Sequence, residues 1–199
     1  MFNSTSYWVD RYSSGGTSGA GSTGRLNAFK SEFLNSVIKK YKINSVLDLG
    51  CGQGAILDNL EVDDYLGFDP SKDVINSLKE KYLLDNSKIF QWKSENLEIK
   101  ELTLSFDVIF HLIEDAVYED YMRSLFSLSE KYVLIYSSNS NRTDPEYETA
   151  PHVKHRIFTE VVPISFKLLE HHKNPFPYQS SNPNETSWSE FFLYGRESG

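Results

Sequence analysis

The segment Val46 to Gly54, VLDLGCGQG, places the tightest limit on what this chain can fold into. Val46, Leu47 and Leu49 read as a short buried strand, led in by Asn44-Ser45. Glycines at 50, 52 and 54 then allow a sharp backbone turn and a close approach by a ligand. A helix over Ala55 to Leu60 is predicted to follow, presenting free N–H groups to whatever lies at the turn. A strand that passes through glycines into a helix is the opening unit of a parallel α/β sheet.

The rest of the chain continues the alternation. An amphipathic helix over Arg25 to Lys40 carries Leu26, Phe29, Phe33, Leu34, Val37 and Ile38 at helical spacing. Tyr65 to Phe68 is a second strand, and Ser71 caps a helix over Asp73 to Tyr82. Further strands are predicted at Lys88 to Trp92, Phe106 to Phe110 and Tyr132 to Tyr136, with a helix over Tyr118 to Leu128. Near-continuous apolar strands imply helices on both faces. After the polar stretch 138–151, Phe166 to Glu170 and Phe191 to Tyr194 read as an antiparallel edge hairpin around a Pro-rich segment. The prediction is α/β: a Rossmann-like, seven-stranded, mostly parallel sheet. It forms a single domain in which an arm and helix (1–44) precede a catalytic part (45–199).

Tyr7 to Gly24 has five glycines and a run of serines and threonines, which is loop composition. Tyr7, Trp8 and Tyr12 precede that run, and so many aromatics predict an arm that docks on the domain. The formal charge of -8 disfavours nucleic acid and anionic membranes as partners. One cysteine, Cys51, excludes an intrachain disulfide and fits a reducing cytoplasm. No leader peptide or membrane-length apolar run is expected.

Asp48, Gly50, Gly52 and Gly54 match the acidic-x-GxGxG pattern, and Asp69 closes the second strand. This arrangement resembles motif I and the following acidic position of class I S-adenosylmethionine (SAM)-dependent methyltransferases, over roughly Val46 to Ser137. The resemblance implies that Asp48 orients the methionine end of SAM, that Asp69 takes the ribose hydroxyls, and that Gly50, Cys51, Gly52 and Pro70 lie against the ligand. Glu95 and Asn96, after strand three, are expected at the adenine. Gly50-x-Gly52-x-x-Ala55 also satisfies the looser dinucleotide fingerprint, so an NAD(P) oxidoreductase is the rival. The complete glycine register and the short chain favour the methyltransferase. A SAM-binding protein without catalysis is a third reading.

His111 follows strand four, where a general base is useful and where it would also touch SAM, with Glu114 or Asp115 as its orienting partner or as a second base. The alternative is that His111 only packs beside the cofactor while the acids cap the next helix. His152, Lys154, His155 and Arg156 form a second cluster. Either histidine could be the base, and Lys154 and Arg156 the anion contacts. No carboxylate pair completes a metal site there. His171-His172 is expected to straddle a strand.

The pieces YWVDRYSSGGTSGAGS, SFDVIFHLIED, YSSN, HVKHR and FFLYG resemble small bacterial methyltransferases of capsule and cell-surface polysaccharide gene clusters. That resemblance covers nearly the whole chain. It implies O-methylation of a sugar-type or anionic small acceptor, including nucleotide-linked or phosphoramidate-type intermediates, and it allows a homodimer. It also implies that Tyr7, Trp8, Arg11 and Tyr12 belong to an arm that closes over SAM, with Tyr7 and Arg11 meeting the acceptor.

Overall fold

The computed structural model describes residues 2–141 and 150–197. Seven strands form one sheet: β1 (Ser45–Leu49), β2 (Asp64–Phe68), β3 (Lys88–Gln91), β4 (Lys100–Phe106), β5 (Ser129–Ser137), β6 (Phe166–His172) and β7 (Glu190–Arg196). Their order is β3-β2-β1-β4-β5-β7-β6. The first five pair in parallel, while β7 lies antiparallel between β5 and β6. The polar stretch 138–151 falls largely outside the described residues. No described helix is long and apolar enough to cross a membrane.

Strand alternation sorts the core into two layers. Val46, Leu134, Tyr136, Phe191 and Leu193 face α2 (Gly24–Tyr41) and α3 (Lys72–Lys81). Their neighbours Leu47, Val133, Ile135, Phe192 and Tyr194 face α4 (Asp115–Ser127). The Ser71 side chain caps α3 as its position predicted. The two adjacent histidines of β6 do straddle the sheet: His171 stacks on Phe192 at 4.4 Å, and His172 on Phe33 at 4.9 Å.

Three elements differ from the sequence reading. The apolar run Phe106 to Phe110 is not strand four; the strand is KELTLSF, which ends at Phe106. Asp107 turns the chain with φ +57°, donating its N–H to the Tyr136 carbonyl, and Ile109–His111 coils into a 3₁₀ turn. The true strand was hidden because Lys100, Thr103 and Ser105, three of its buried residues, are polar or charged. Thr103 donates to the Leu125 carbonyl (2.8 Å), and Ser105 meets the Tyr121 hydroxyl (2.8 Å), so α4 satisfies both.

The second difference follows the glycine turn, where only a 3₁₀ turn, Leu57–Asn59, replaces the predicted helix. Asn35 on α2 explains the stop. Its amide donates to the Asn59 carbonyl and its oxygen accepts from Glu61 N–H, so it captures the backbone where a helix would continue. The third is the arm, whose first half is a helix, α1 (Ser4–Ser13), capped by Asn3. Tertiary contacts supply the order that its composition does not.

Gly50 sits at φ +92°, and a Cβ there would lie 2.6 Å from Val108 Cγ2. Gly50→Ala is therefore expected to cost about 1–3 kcal/mol of stability. The check is a lower urea midpoint at unchanged slope; an unchanged midpoint would mean that Val108 gives way freely.

Candidate active site

A cleft of about 250 Å³ opens at the carboxyl ends of β1, β2 and β4. Its floor is the glycine turn, and one face of α1 covers it: Ser4, Thr5, Trp8 and Tyr12, spaced for a single helix face. Asp48, Gly50, Cys51, Gly52, Asp69, Pro70, Tyr12 and His111, all predicted for cofactor contact, line it together.

The turn is closed upon itself. Gly50 and Cys51 both donate to the Phe68 carbonyl (2.8 and 2.9 Å), and Gly54 to Cys51 (3.0 Å). Gly52 N–H donates to Asp69 Oδ2 (3.1 Å) and Gln53 N–H to Ser18 Oγ (3.3 Å). The N–H groups of Gly50 to Gly54 are thus all engaged within the protein. A Cβ on Gly52 would lie 2.8 Å from Ser18 Oγ and 3.1 Å from the Tyr12 hydroxyl, so glycine there lets the arm lie directly on the turn.

Both carboxylates are buried. Asp48 accepts from the Tyr65 hydroxyl at 2.9 Å, and burial pushes it up to about 7 against the lowering effects of Tyr65 and Lys30. Burial raises Asp69 to about 6, although Ser71 and Gly52 N–H groups hold its charge. His111 moves the other way, to about 4, because burial disfavours its cation. The His111 Nδ1 lies 2.8 Å from the His152 carbonyl. A carbonyl only accepts, so Nδ1 carries the proton and Nε2 keeps a lone pair.

The remaining predicted residues lie outside the cleft lining. His152 is half-buried, stacked between Tyr7 (4.7 Å) and His111 (5.3 Å). Burial, with Arg11 nearby, holds it below the usual histidine range. Arg11 braces the arm by donating to the Thr17 carbonyl and the Tyr7 hydroxyl. His155 Nδ1 meets Ser138 Oγ at 2.6 Å. Glu114 binds the start of α1, accepting from Ser4 N–H (2.9 Å) and Ser4 Oγ, so it latches the arm and does not orient His111.

Two expectations are corrected. Arg156 is no open clamp: it donates to the Leu112 and Ile113 carbonyls, pairs with Asp115 and covers the Tyr118 ring. Lys154 pairs with the same Asp115 at 2.6 Å. Glu95 and Asn96 stay exposed after β3 and do not reach the cleft.

Residues not singled out in the sequence also line it: Ser18, Lys30, Asp107 and Tyr121. Signals for two of them existed. Lys30 lies four residues after Leu26, on the apolar face of α2, and Asp107 interrupts an apolar run. Lys30 is 3% exposed and bonds Asp107 Oδ2 at 2.7 Å.

No family model and no curated protein matches this chain. Solved structures do. The magnesium protoporphyrin IX methyltransferase of Synechocystis PCC 6803, solved with bound SAM, is 13% identical, with 99% of each chain covered and a TM-score of 0.63. The N-methyltransferase NodS of Bradyrhizobium japonicum WM9, in complex with S-adenosyl-L-homocysteine (SAH), is 12% identical, covering 87% and 88% of the two chains, with a TM-score of 0.65. The chain has the class I methyltransferase fold. In this fold the antiparallel β7 between β5 and β6 distinguishes the sheet from the 3-2-1-4-5-6 order of the dinucleotide-binding Rossmann sheet.

Because the folded state keeps a proton on Asp48 up to about pH 7, while an unfolded aspartate loses it near 3.9, stability falls as pH rises through that window, by at most ~1.4 kcal/mol per pH unit. His111 opposes this between about 4 and 6.5, where only the unfolded chain binds the proton. Asp48→Asn keeps an acceptor for Tyr65 and removes the first effect. Its stability relative to the parent should climb from pH 4.5 to pH 7.5 in urea titrations; a flat difference would show that the carboxylate is not desolvated.

Proposed function

We propose that this protein is a SAM-dependent methyltransferase acting on a hydroxyl of a small, saccharide-type acceptor, with His111 as the general base. The observation that carries the reading is the closed turn. The N–H groups of Gly50 to Gly54 are used within the protein, so the glycine turn itself offers no nest for a pyrophosphate. It does offer two buried carboxylates, which suit a ligand bearing an ammonium and ribose hydroxyls but no phosphate. This favours SAM over NAD(P).

Asp48 would hold the ammonium of the methionine end, whose charge would offset the burial that raises its pKa. Asp69 keeps lone pairs for the ribose hydroxyls after accepting from Gly52 and Ser71. Trp8 and Tyr12 cover the cleft and exclude water. When bound, SAM would supply an electrophilic sulfonium methyl to the acceptor oxygen and leave as SAH, and His111 Nε2 would take the acceptor's proton. His111 Nε2 is free of that proton at neutral pH and lines the cleft. The resemblance to polysaccharide-cluster methyltransferases supports a sugar-derived acceptor.

Calorimetry should find SAH bound and NAD not; the opposite preference would overturn the reading. His111→Ala should lower kcat by about 10²-fold or more while SAH affinity stays within about threefold. Turnover close to the parent's would remove His111 as base.

A further inference from the structure

We propose that buried Lys30 and partly exposed Asp107 form a separate polar seat in the cleft, one that grips adjacent hydroxyls of a neutral polyol acceptor. The proposal rests on the methyltransferase reading and adds the acceptor's own binding site to it. The pair stands on elements other than the two carboxylates assigned to SAM. Lys30 comes from α2, Asp107 from the turn after β4, and Ser189, just before β7, donates to Asp107 Oδ1 at 2.9 Å. Tyr136 at the end of β5 puts its ring 5.6 Å from the Lys30 ammonium.

Hydrogen-bond capacity is left over on both partners. The Lys30 ammonium has three N–H donors, one directed at Asp107 Oδ2. Each Asp107 oxygen has one hydrogen-bonding donor among the described residues and keeps a lone pair. An acceptor site beside a donor site matches a hydroxyl, or two neighbouring hydroxyls, each able to give and take a hydrogen bond. Charge narrows the class further. Asp107 offsets the charge of Lys30, so the pair leaves no net positive charge to hold an anionic acceptor. An ammonium would sit against Lys30. A neutral polyol meets neither obstacle.

The pair is also poorly explained by stability. A buried ion pair adds little over an apolar pair of similar volume. Asp107 further holds a left-handed backbone (φ +57°) that few residue types adopt. Gly21 of the arm passes so close that a Cβ would lie 3.1 Å from Asp107 Oδ2, so glycine there lets the arm lie against the carboxylate.

The test uses the full chain saturated with SAH. Binding of the methyl α-glycosides of glucose, galactose and mannose is measured by ligand-observed NMR, with cyclohexanol as the single-hydroxyl control. At least one glycoside should bind the parent more tightly than cyclohexanol. Asp107→Asn, whose side chain tolerates the same backbone, and Lys30→Met should each weaken it about tenfold or more with SAH affinity within about threefold. If a single variant does not fold, the double variant Lys30→Met/Asp107→Asn takes its place and should lose the glycoside while binding SAH. Absence of glycoside binding to the parent, parent-like binding in the variants, or a main loss in SAH affinity overturns the proposal. A parent protein that does not bind SAH overturns the methyltransferase reading instead.

Discussion

The double hydrogen bond from Gly50 and Cys51 to the Phe68 carbonyl is the interaction on which the site depends. It ties the turn after β1 to the end of β2, and so fixes Asp48 and Asp69 relative to each other. The tie requires Gly50 to take a positive φ with Val108 pressed against it, and that contact in turn sets where β4 must end. One backbone geometry therefore organises three strand ends. Gly52 completes the arrangement by donating to Asp69, so the carboxylate and the turn hold one another in place.

Around this floor the protein builds a largely apolar cleft. Burial shifts Asp48 and Asp69 upward and His111 downward, each toward its neutral form. A low-dielectric site of this kind magnifies any charge a ligand brings. The cover comes from the arm, whose aromatic residues pack on histidines: Tyr7 on His152, and Trp8 edge-on to His111 at 4.8 Å. Glu114 anchors the other end of the same helix through Ser4, and Ile113 N–H completes that latch at Ser4 Oγ. Cover and floor meet where Ser18 and Gln53 exchange hydrogen bonds.

The late strands close the opposite wall. β7 enters antiparallel beside β5 and brings Ser189 to Asp107. Phe191 fills the space between Phe33 and Tyr136, at ring distances of 4.2 and 4.6 Å, so α2 is seated on β7 as well as on the parallel strands. That seating carries Lys30 to the cleft. A charged residue on an apolar helix face is tolerated here because Asp107 and the Tyr136 ring receive it.

The alternation of apolar strands with amphipathic helices, and the acidic residue with its three spaced glycines, were legible in the sequence because they are local. Strand period, helix period and positive-φ turns are written in neighbouring residues. For that reason the seven-stranded sheet and most of the cleft floor could be read directly. Other features were decided only by contacts between distant segments. The strand Lys100–Phe106 hid behind Thr103 and Ser105, whose partners lie on α4. The arm gained a helix from a glutamate 110 residues away. Arg156 and Lys154 looked like open cations until Asp115 and the carbonyls of Leu112 and Ile113 took them. Whether a polar group is free or satisfied depends on what folds against it, and in these cases only the tertiary structure brings the partner into reach.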